Sequence, residues 1–196
     1  MKEGKIDTAR LKKNISDSAE TVKSLLSGTD RISAVCKAVI EGLKSGGKIL
    51  TAGNGGSAAE ALHLAEELTG RFRTNRRALA AVALVADSTA LTCIGNDFGF
   101  EHIFSRQVEA LGRKGDVLVL FSTSGKSRNI ILALAAAKAR KVRTICILGR
   151  DGGPLAGKGD LEIIVKSNVT ERIQEAHQVL VHLVLDAVEE EFPENR

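Results

Sequence analysis

A doubly wound α/β domain built on a five-stranded parallel sheet, with a helical pair ahead of it and a long helix behind it, is the fold this sequence predicts. Three observations carry that expectation. Five short runs are apolar almost without interruption, as strands buried on both faces of a parallel sheet must be. Helix-period segments lie between most of them, the alternation that defines α/β folds. The composition of the 196 residues, 43% hydrophobic and 27% charged, is ordinary for a globular chain long enough to bury a core.

The elements follow in order. From about Thr8 to Leu26, Leu11, Ile15, Val22, Leu25 and Leu26 recur near one helical face. Asp30 is placed to N-cap a second helix carrying Ile32, Val35, Cys36, Val39, Ile40 and Leu43, which Gly46-Gly47 would close. The apolar runs at Ile49–Ala52, Ala80–Val85, Val117–Phe121, Thr144–Leu148 and Leu161–Val165 read as strands. Helical patterns cover Ala58–Leu68, Ser88–Thr92, Ile103–Leu111, Ser127–Ala139 and a short stretch near Leu155. The last helix, roughly Glu171 to Glu191, carries Ile173, Val179, Leu180, Leu183, Val184 and Val188, and Pro193 follows it. No repeat or low-complexity linker divides the chain. The expectation is one domain over residues 1–196, with 1–46 a helical extension and 47–196 the α/β core. The N-terminal pair and the last helix have wide apolar faces, which predicts burial against another subunit.

Several classes are disfavoured. The net charge of +4 is spread along the chain. Arg71, Arg73, Arg76 and Arg77 form a local basic run that reads as a solvated face, with an anion or nucleic acid as the alternative. Six Phe with no Trp or Tyr argue against a platform for stacking bases. Cys36, Cys93 and Cys146 sit singly, odd in number and without a CxxC pair, so a reducing compartment fits. Met1-Lys2-Glu3-Gly4-Lys5 does not resemble a signal peptide, and no apolar run approaches the ~20 residues needed to span a bilayer. A soluble, cytoplasmic protein is expected.

Open α/β sheets bind ligands at the carboxyl ends of their strands, and two such ends here are unusual. The first strand runs into Gly53-Asn54-Gly55-Gly56-Ser57, whose glycines allow close approach to an anion at a helix N-terminus. With Ala58 this segment also fits the relaxed dinucleotide pattern G-x-G-x-x-A, and a tight strand-to-helix turn is an equal alternative. The acidic residue ending the second strand, Asp87, is too far on to serve a nicotinamide ribose. The third strand ends in Ser122-Thr123-Ser124-Gly125-Lys126-Ser127. A P-loop would need glycine at Leu120, so a nucleoside triphosphatase is disfavoured. The hydroxyls of Ser122, Thr123, Ser124 and Ser127 over a helix start suit a phosphate monoester, though Ser127 alone could be an ordinary cap.

Chemistry-bearing residues cluster on two helices. His63 and Glu67, spaced i,i+4, share a face and could hold a metal ion or a proton path; a surface His–Glu pair is the plainer reading. The last helix adds Gln174, Glu175, His177, Gln178 and His182 beside its apolar stripe. A histidine there is usually a satisfied core residue, and a metal or acid–base site is the competitor. Gln174 and His182 are eight residues apart, about 12 Å along an ideal helix, so converging on one ion is demanding.

These segments together resemble the phosphoheptose isomerase family of the sugar isomerase (SIS) superfamily. The resemblance rests on Gly53-Asn54-Gly55-Gly56-Ser57, His63-Leu64-Ala65-Glu66-Glu67-Leu68-Thr69-Gly70-Arg71-Phe72, Gly95-Asn96-Asp97-Phe98-Gly99, Ser122-Thr123-Ser124-Gly125, and Arg172-Ile173-Gln174-Glu175 with His182. It implies a SIS domain with flavodoxin-like strand order, and conversion of sedoheptulose 7-phosphate to D-glycero-D-manno-heptose 7-phosphate through an enediol. By the same resemblance Ser122, Thr123, Ser124 and Ser127 hold the phosphate, and Asn54, Gly55, Gly56, Asn96, Asp97, Glu67 and Gln174 meet the substrate. It further implies zinc on His63, Glu67, Gln174 and His182, catalysis by Glu67 and His182, and a homotetramer with active sites at subunit interfaces. No nucleic-acid or membrane partner is expected. Proton transfer between adjacent carbons wants a carboxylate base, a second acid–base group and a cation or donors for the enediolate, and these residue types supply them. The chain departs from some members at Glu171, where they carry Asp, and at Ala58-Ala59-Glu60-Ala61-Leu62, which lacks their extra polar groups.

Rival readings remain at this point. A relative with the same fold, the DnaA initiator-associating protein, is a replication adapter without isomerase activity, but lacks the acidic residue and histidine found here at 67 and 182. A sugar-phosphate-sensing SIS module would keep the serine loop and need neither.

Overall fold

The computed structural model describes residues 6–193; the expected charged start, Met1 to Lys5, and residues 194–196 lie outside them. Five strands, β1 (Ile49–Ala52), β2 (Ala81–Ala83), β3 (Val117–Ser122), β4 (Arg143–Gly149) and β5 (Leu161–Val165), form one parallel sheet in the order β2-β1-β3-β4-β5. The chain runs from β1 outward to β2, then returns to place β3 on the other side of β1. Ile49 therefore pairs with both Ala81 and Val117.

Strand side chains alternate between two buried layers. Ile49, Val117, Val119, Phe121, Ile145 and Ile147 face one side, and Leu50, Leu118, Leu120, Cys146 and Leu148 the other. Both faces being dry explains why the strands show no polar alternation. Each such side chain, Phe121 for example, contributes about 2 kcal/mol by leaving water. Helices α2 (Thr29–Lys44), α3 (Gly56–Thr69) and α7 (Thr170–Glu191) cover the first face. Helices α5 (Ser105–Leu111) and α6 (Arg128–Ala139) cover the second. The remaining two are α1 (Thr8–Lys23) and α4 (Ser88–Phe98).

Several boundaries differ from expectation for identifiable reasons. Asp30 does not cap α2: Gly28 holds the N-cap position, and Asp30 lies in the first turn, where its charge complements the helix dipole. A 3-10 segment, Ser24–Gly28, links the first two helices, so α1 ends at Lys23. The second strand shortens to Ala81–Ala83 because it is a sheet edge with one neighbour. Asp87 is the N-cap of α4, accepting from the backbone of Thr89 and Ala90, and that helix runs on to Phe98. Gly95, Asn96 and Asp97, poor helix formers, are thus helical. The α5 pattern starts later than expected because Phe100–His102 is a 3-10 turn.

The two N-terminal helices are not alike. Helix α2 buries Ile32, Val35, Cys36, Ala38, Val39 and Leu43 in the main core, and α7 is equally buried, so neither shows the wide uncovered face expected of it. Helix α1 stays outside: none of its residues is buried, and Leu11 and Ile15 are 49% and 70% exposed. It is tied to α7 by Nη1 of Arg172, which donates to the Asn14 carbonyl at 2.6 Å. Among the described residues no helix is long and apolar enough to cross a membrane.

Candidate active site

The sheet reverses direction of winding between β1 and β3, and the crevice above that reversal is where α/β folds receive ligands. The glycine loop after β1 and the serine loop after β3 flank it. They are pinned together by a reciprocal amide pair: Asn54 and Asn129 each donate to the other at 2.9 Å. In the serine loop, Ser122 Oγ accepts from the Gly125 N–H at 3.1 Å and Ser124 Oγ from the Lys126 N–H at 3.2 Å. Gly125 has φ +62°, and a β-carbon there would run into the Gly152 carbonyl, so only glycine closes this turn. Ser127 holds the N-cap position of α6, yet its hydroxyl makes no capping bond. That removes the plain capping alternative and leaves a free hydroxyl beside the loop's backbone N–H groups.

Helices α3 and α7 both descend from the carboxyl edge of the sheet on the same face, so they pack parallel. Their contacts run in register. Gly56 meets the Gln174 side-chain amide, and a β-carbon at 56 would collide with it. One turn on, the buried His177 places Nδ1 3.3 Å from Glu60 Oε2 and Nε2 3.1 Å from the Leu148 carbonyl. This is the core histidine, with a hydrogen-bond acceptor beside each ring nitrogen. Beyond it His63 Nε2 lies 3.4 Å from Glu67 Oε1. His182 meets the His63 ring edge to face at a centroid distance of 5.2 Å, and Phe72 stacks on His182 at 6.0 Å. Gln178 sits between the two imidazoles, its amide 2.5 Å from His63 Nδ1 and 3.2 Å from His182 Nε2.

The end of α3 is held by one cation. Arg76 is buried, and its Nη2 and Nη1 donate to the carbonyls of Glu67 and Leu68 at 2.7 and 3.0 Å, with Nε 3.2 Å from Glu189 Oε2. The expected solvated arginine face is therefore corrected at this position. Arg73 pairs with Asp186, while Arg77 lies over the Phe192 ring. Burial alone would raise the Glu189 carboxyl, but hydrogen bonds from Thr74, Arg73 and Arg76 outweigh it and hold it below the usual range.

The donor chemistry suits a borderline metal. His63, Glu66 and Glu67 each offer a ligand atom within 4.8 Å of the others, and His182 adjoins them. Imidazole and carboxylate together are a zinc-type set. Of the residues singled out in the sequence, His63, Glu67 and His182 are brought together. Gln174 lies two turns before His182, beside the glycine loop. Asn96 and Asp97 lie on the exposed α4, where Asn96 Nδ2 donates to Asp97 at 2.8 Å, and no described contact joins them to the other groups. Sequence reasoning missed the anchoring role of Arg76 and the contact role of Gln178. The last was signalled by the i, i+4, i+8 stripe of Gln174, Gln178 and His182.

The SIS domain family model matches residues 13–149. The phosphoheptose isomerase of Yersinia enterocolitica is 44% identical over 186 residues, 93% of this chain and 96% of that one. That of Helicobacter hepaticus is 47% identical over 176 residues, 90% of each chain. Among solved structures, phosphoheptose isomerase GmhA from Neisseria gonorrhoeae superposes with a TM-score of 0.86 at 43% identity, covering 92% of this chain and 98% of that one. The Vibrio vulnificus NanR protein complexed with ManNAc-6P, at 13% identity and a TM-score of 0.67, shares the fold alone.

Proposed function

The chain belongs to the phosphoheptose isomerase family of SIS-domain proteins, and from that membership we propose that it converts sedoheptulose 7-phosphate to D-glycero-D-manno-heptose 7-phosphate. The observation that carries this reading is the meeting of Glu67 and His182 on either side of His63, across two helices far apart in sequence.

The residues divide the work. Ser122, Thr123, Ser124 and Ser127, with the backbone N–H groups of their loop, hold the phosphate. The glycine loop at Asn54, Gly55 and Gly56, with Gln174, Asn96 and Asp97, receives the sugar hydroxyls. Glu67 takes the proton from C1 of the ketose and returns it to C2, and His182 moves the proton between the two oxygens. His63, Glu67, Gln174 and His182 would hold zinc, which when bound supplies a positive charge for the enediolate oxygens. The interhelical cluster of nitrogen and carboxylate donors supports His63, Glu67 and His182 in that role, while Gln174, two turns from His182, rests on the family resemblance.

The working form we propose is a homotetramer in the cytoplasm. Glu67 lies eleven residues beyond Gly56, about 16 Å down α3. The catalytic cluster of one protomer is thus offset from its own serine loop, which supports a site completed by a neighbouring subunit. Arg172 Nε and Glu175 Oε2 are buried without partners among the described residues, and α1 keeps its apolar stripe uncovered, as an interface would require. The three unpaired cysteines suit a reducing compartment.

An isomerase assay on metal-stripped and zinc-restored protein tests the reading directly. Activity with sedoheptulose 7-phosphate should appear on restoration. Glu67→Gln should lower turnover at least about a hundredfold with the circular dichroism unchanged; a variant keeping most of its activity refutes the assignment.

A further inference from the structure

We propose that Gln178 is a positioning residue that sets the tautomer of His63, and thereby the readiness of the site to accept a cation; the inference rests on the ligand role of His63 proposed above. The basis is a double contact. Nε2 of Gln178 lies 2.5 Å from Nδ1 of His63 and 3.2 Å from Nε2 of His182. A primary amide nitrogen carries two N–H donors and no acceptor, so it serves both rings only where each offers a lone pair. For a neutral His63 that places the ring proton on Nε2, the nitrogen that lies 3.4 Å from Oε1 of Glu67.

A cation binds imidazole through a bare nitrogen. The His63 nitrogen on the Glu67 side is Nε2, the one that carries the proton in this arrangement. Accepting a cation there moves that proton, through solvent, from Nε2 to Nδ1. The ring stays neutral and no proton is lost from it. Nδ1–H then needs an acceptor, and the same amide supplies one by turning its oxygen inward. Outer acceptors of this kind orient metal-binding histidines generally. Gln178 therefore has two settings: nitrogen inward without the cation, oxygen inward with it. The stripe on α7 makes the geometry possible, because residue 178 is one turn from both Gln174 and His182 and faces His63 on α3.

Two substitutions separate the settings. Gln178→Glu presents acceptors only, and Gln178→Leu presents neither donor nor acceptor. Imidazole nitrogen NMR on the cation-free full chain reads the tautomer. The wild type should show His63 protonated on Nε2, Gln178→Glu on Nδ1, and Gln178→Leu a mixture. Zinc titrated against a chromophoric chelator should bind about tenfold tighter to Gln178→Glu and about tenfold weaker to Gln178→Leu than to the wild type. A carboxylate's charge alone would also attract zinc, so the tautomer decides. The same His63 tautomer in all three proteins overturns the proposal. If the tautomers follow the expected order but wild-type zinc binding is absent, Gln178's control of the ring is upheld and the ligand role of His63 is what fails.

Discussion

Gly125 shows how much a single residue can carry. Its left-handed backbone turns the serine loop back over β3, and the Gly152 carbonyl occupies the place a side chain would take. Gly125→Ala should therefore cost about 2 kcal/mol from the strained φ alone, before the backbone clash is counted. The loop would open, so KM for the sugar phosphate should rise more than kcat falls. Thermal melts and steady-state kinetics on the same preparation check both; an unchanged KM would show that the loop does not hold the phosphate. The glycine and the hydroxyls around it were legible in the sequence because turn chemistry is local. Ser127's freedom from capping was not, since a cap position and a capping bond look identical in one dimension.

At the scale of the element, α3 is held in place at its end. Arg76 reaches the carbonyls of Glu67 and Leu68, and its pairing with Glu189 joins α3 to the last turns of α7. Arg76 is fully covered, so Arg76→Leu should destabilise by about 3 kcal/mol by stranding the carbonyls of Glu67 and Leu68 and removing the ion pair to Glu189. It should also lower turnover, because the helix turn bearing Glu67 loses its anchor. The pH dependence has a definite sign. Glu189 has a folded-state value below its unfolded one, about 4.3. The stability it adds is complete above that value and is lost as pH falls through the lower folded value. Asp116 behaves alike: burial would raise it, but hydrogen bonds from Lys48 and Arg113 hold it low. The melting temperature should fall steeply below about pH 4. Glu189→Gln should melt lower at pH 7 and show a shallower acid limb; an acid limb as steep as the wild type's would show that this carboxylate is not responsible.

For the whole molecule, the uncovered stripe of α1 is the main feature one protomer leaves unexplained. Ile15 and Leu26 are 70% and 68% exposed, on a helix and its 3-10 extension that bury nothing of their own. If subunits meet there, Ile15→Glu with Leu26→Glu should shift the sedimentation profile from tetramer to smaller species and reduce activity together. The sheet, Glu67 and His182 would stay in place. A wild-type chain that sediments as a monomer at micromolar concentration rejects the interface. The two-layer core was foreseeable from uninterrupted apolar strands. That α2 belongs to that core while α1 does not was not foreseeable, because both helices carry apolar faces of similar period.

The amino-acid sequence alone determined the strands, the helix-bearing segments, the two ligand loops and the residues able to do acid–base chemistry, since periodicity, turn residues and side-chain type are written locally. The tertiary structure decided which of those residues meet. Helices α3 and α7 are more than a hundred residues apart, and only their parallel packing against one face of the sheet brings His63, Glu67, Gln178 and His182 together. The same packing assigns His177 to the core and buries Arg76, because burial depends on what a neighbouring element covers.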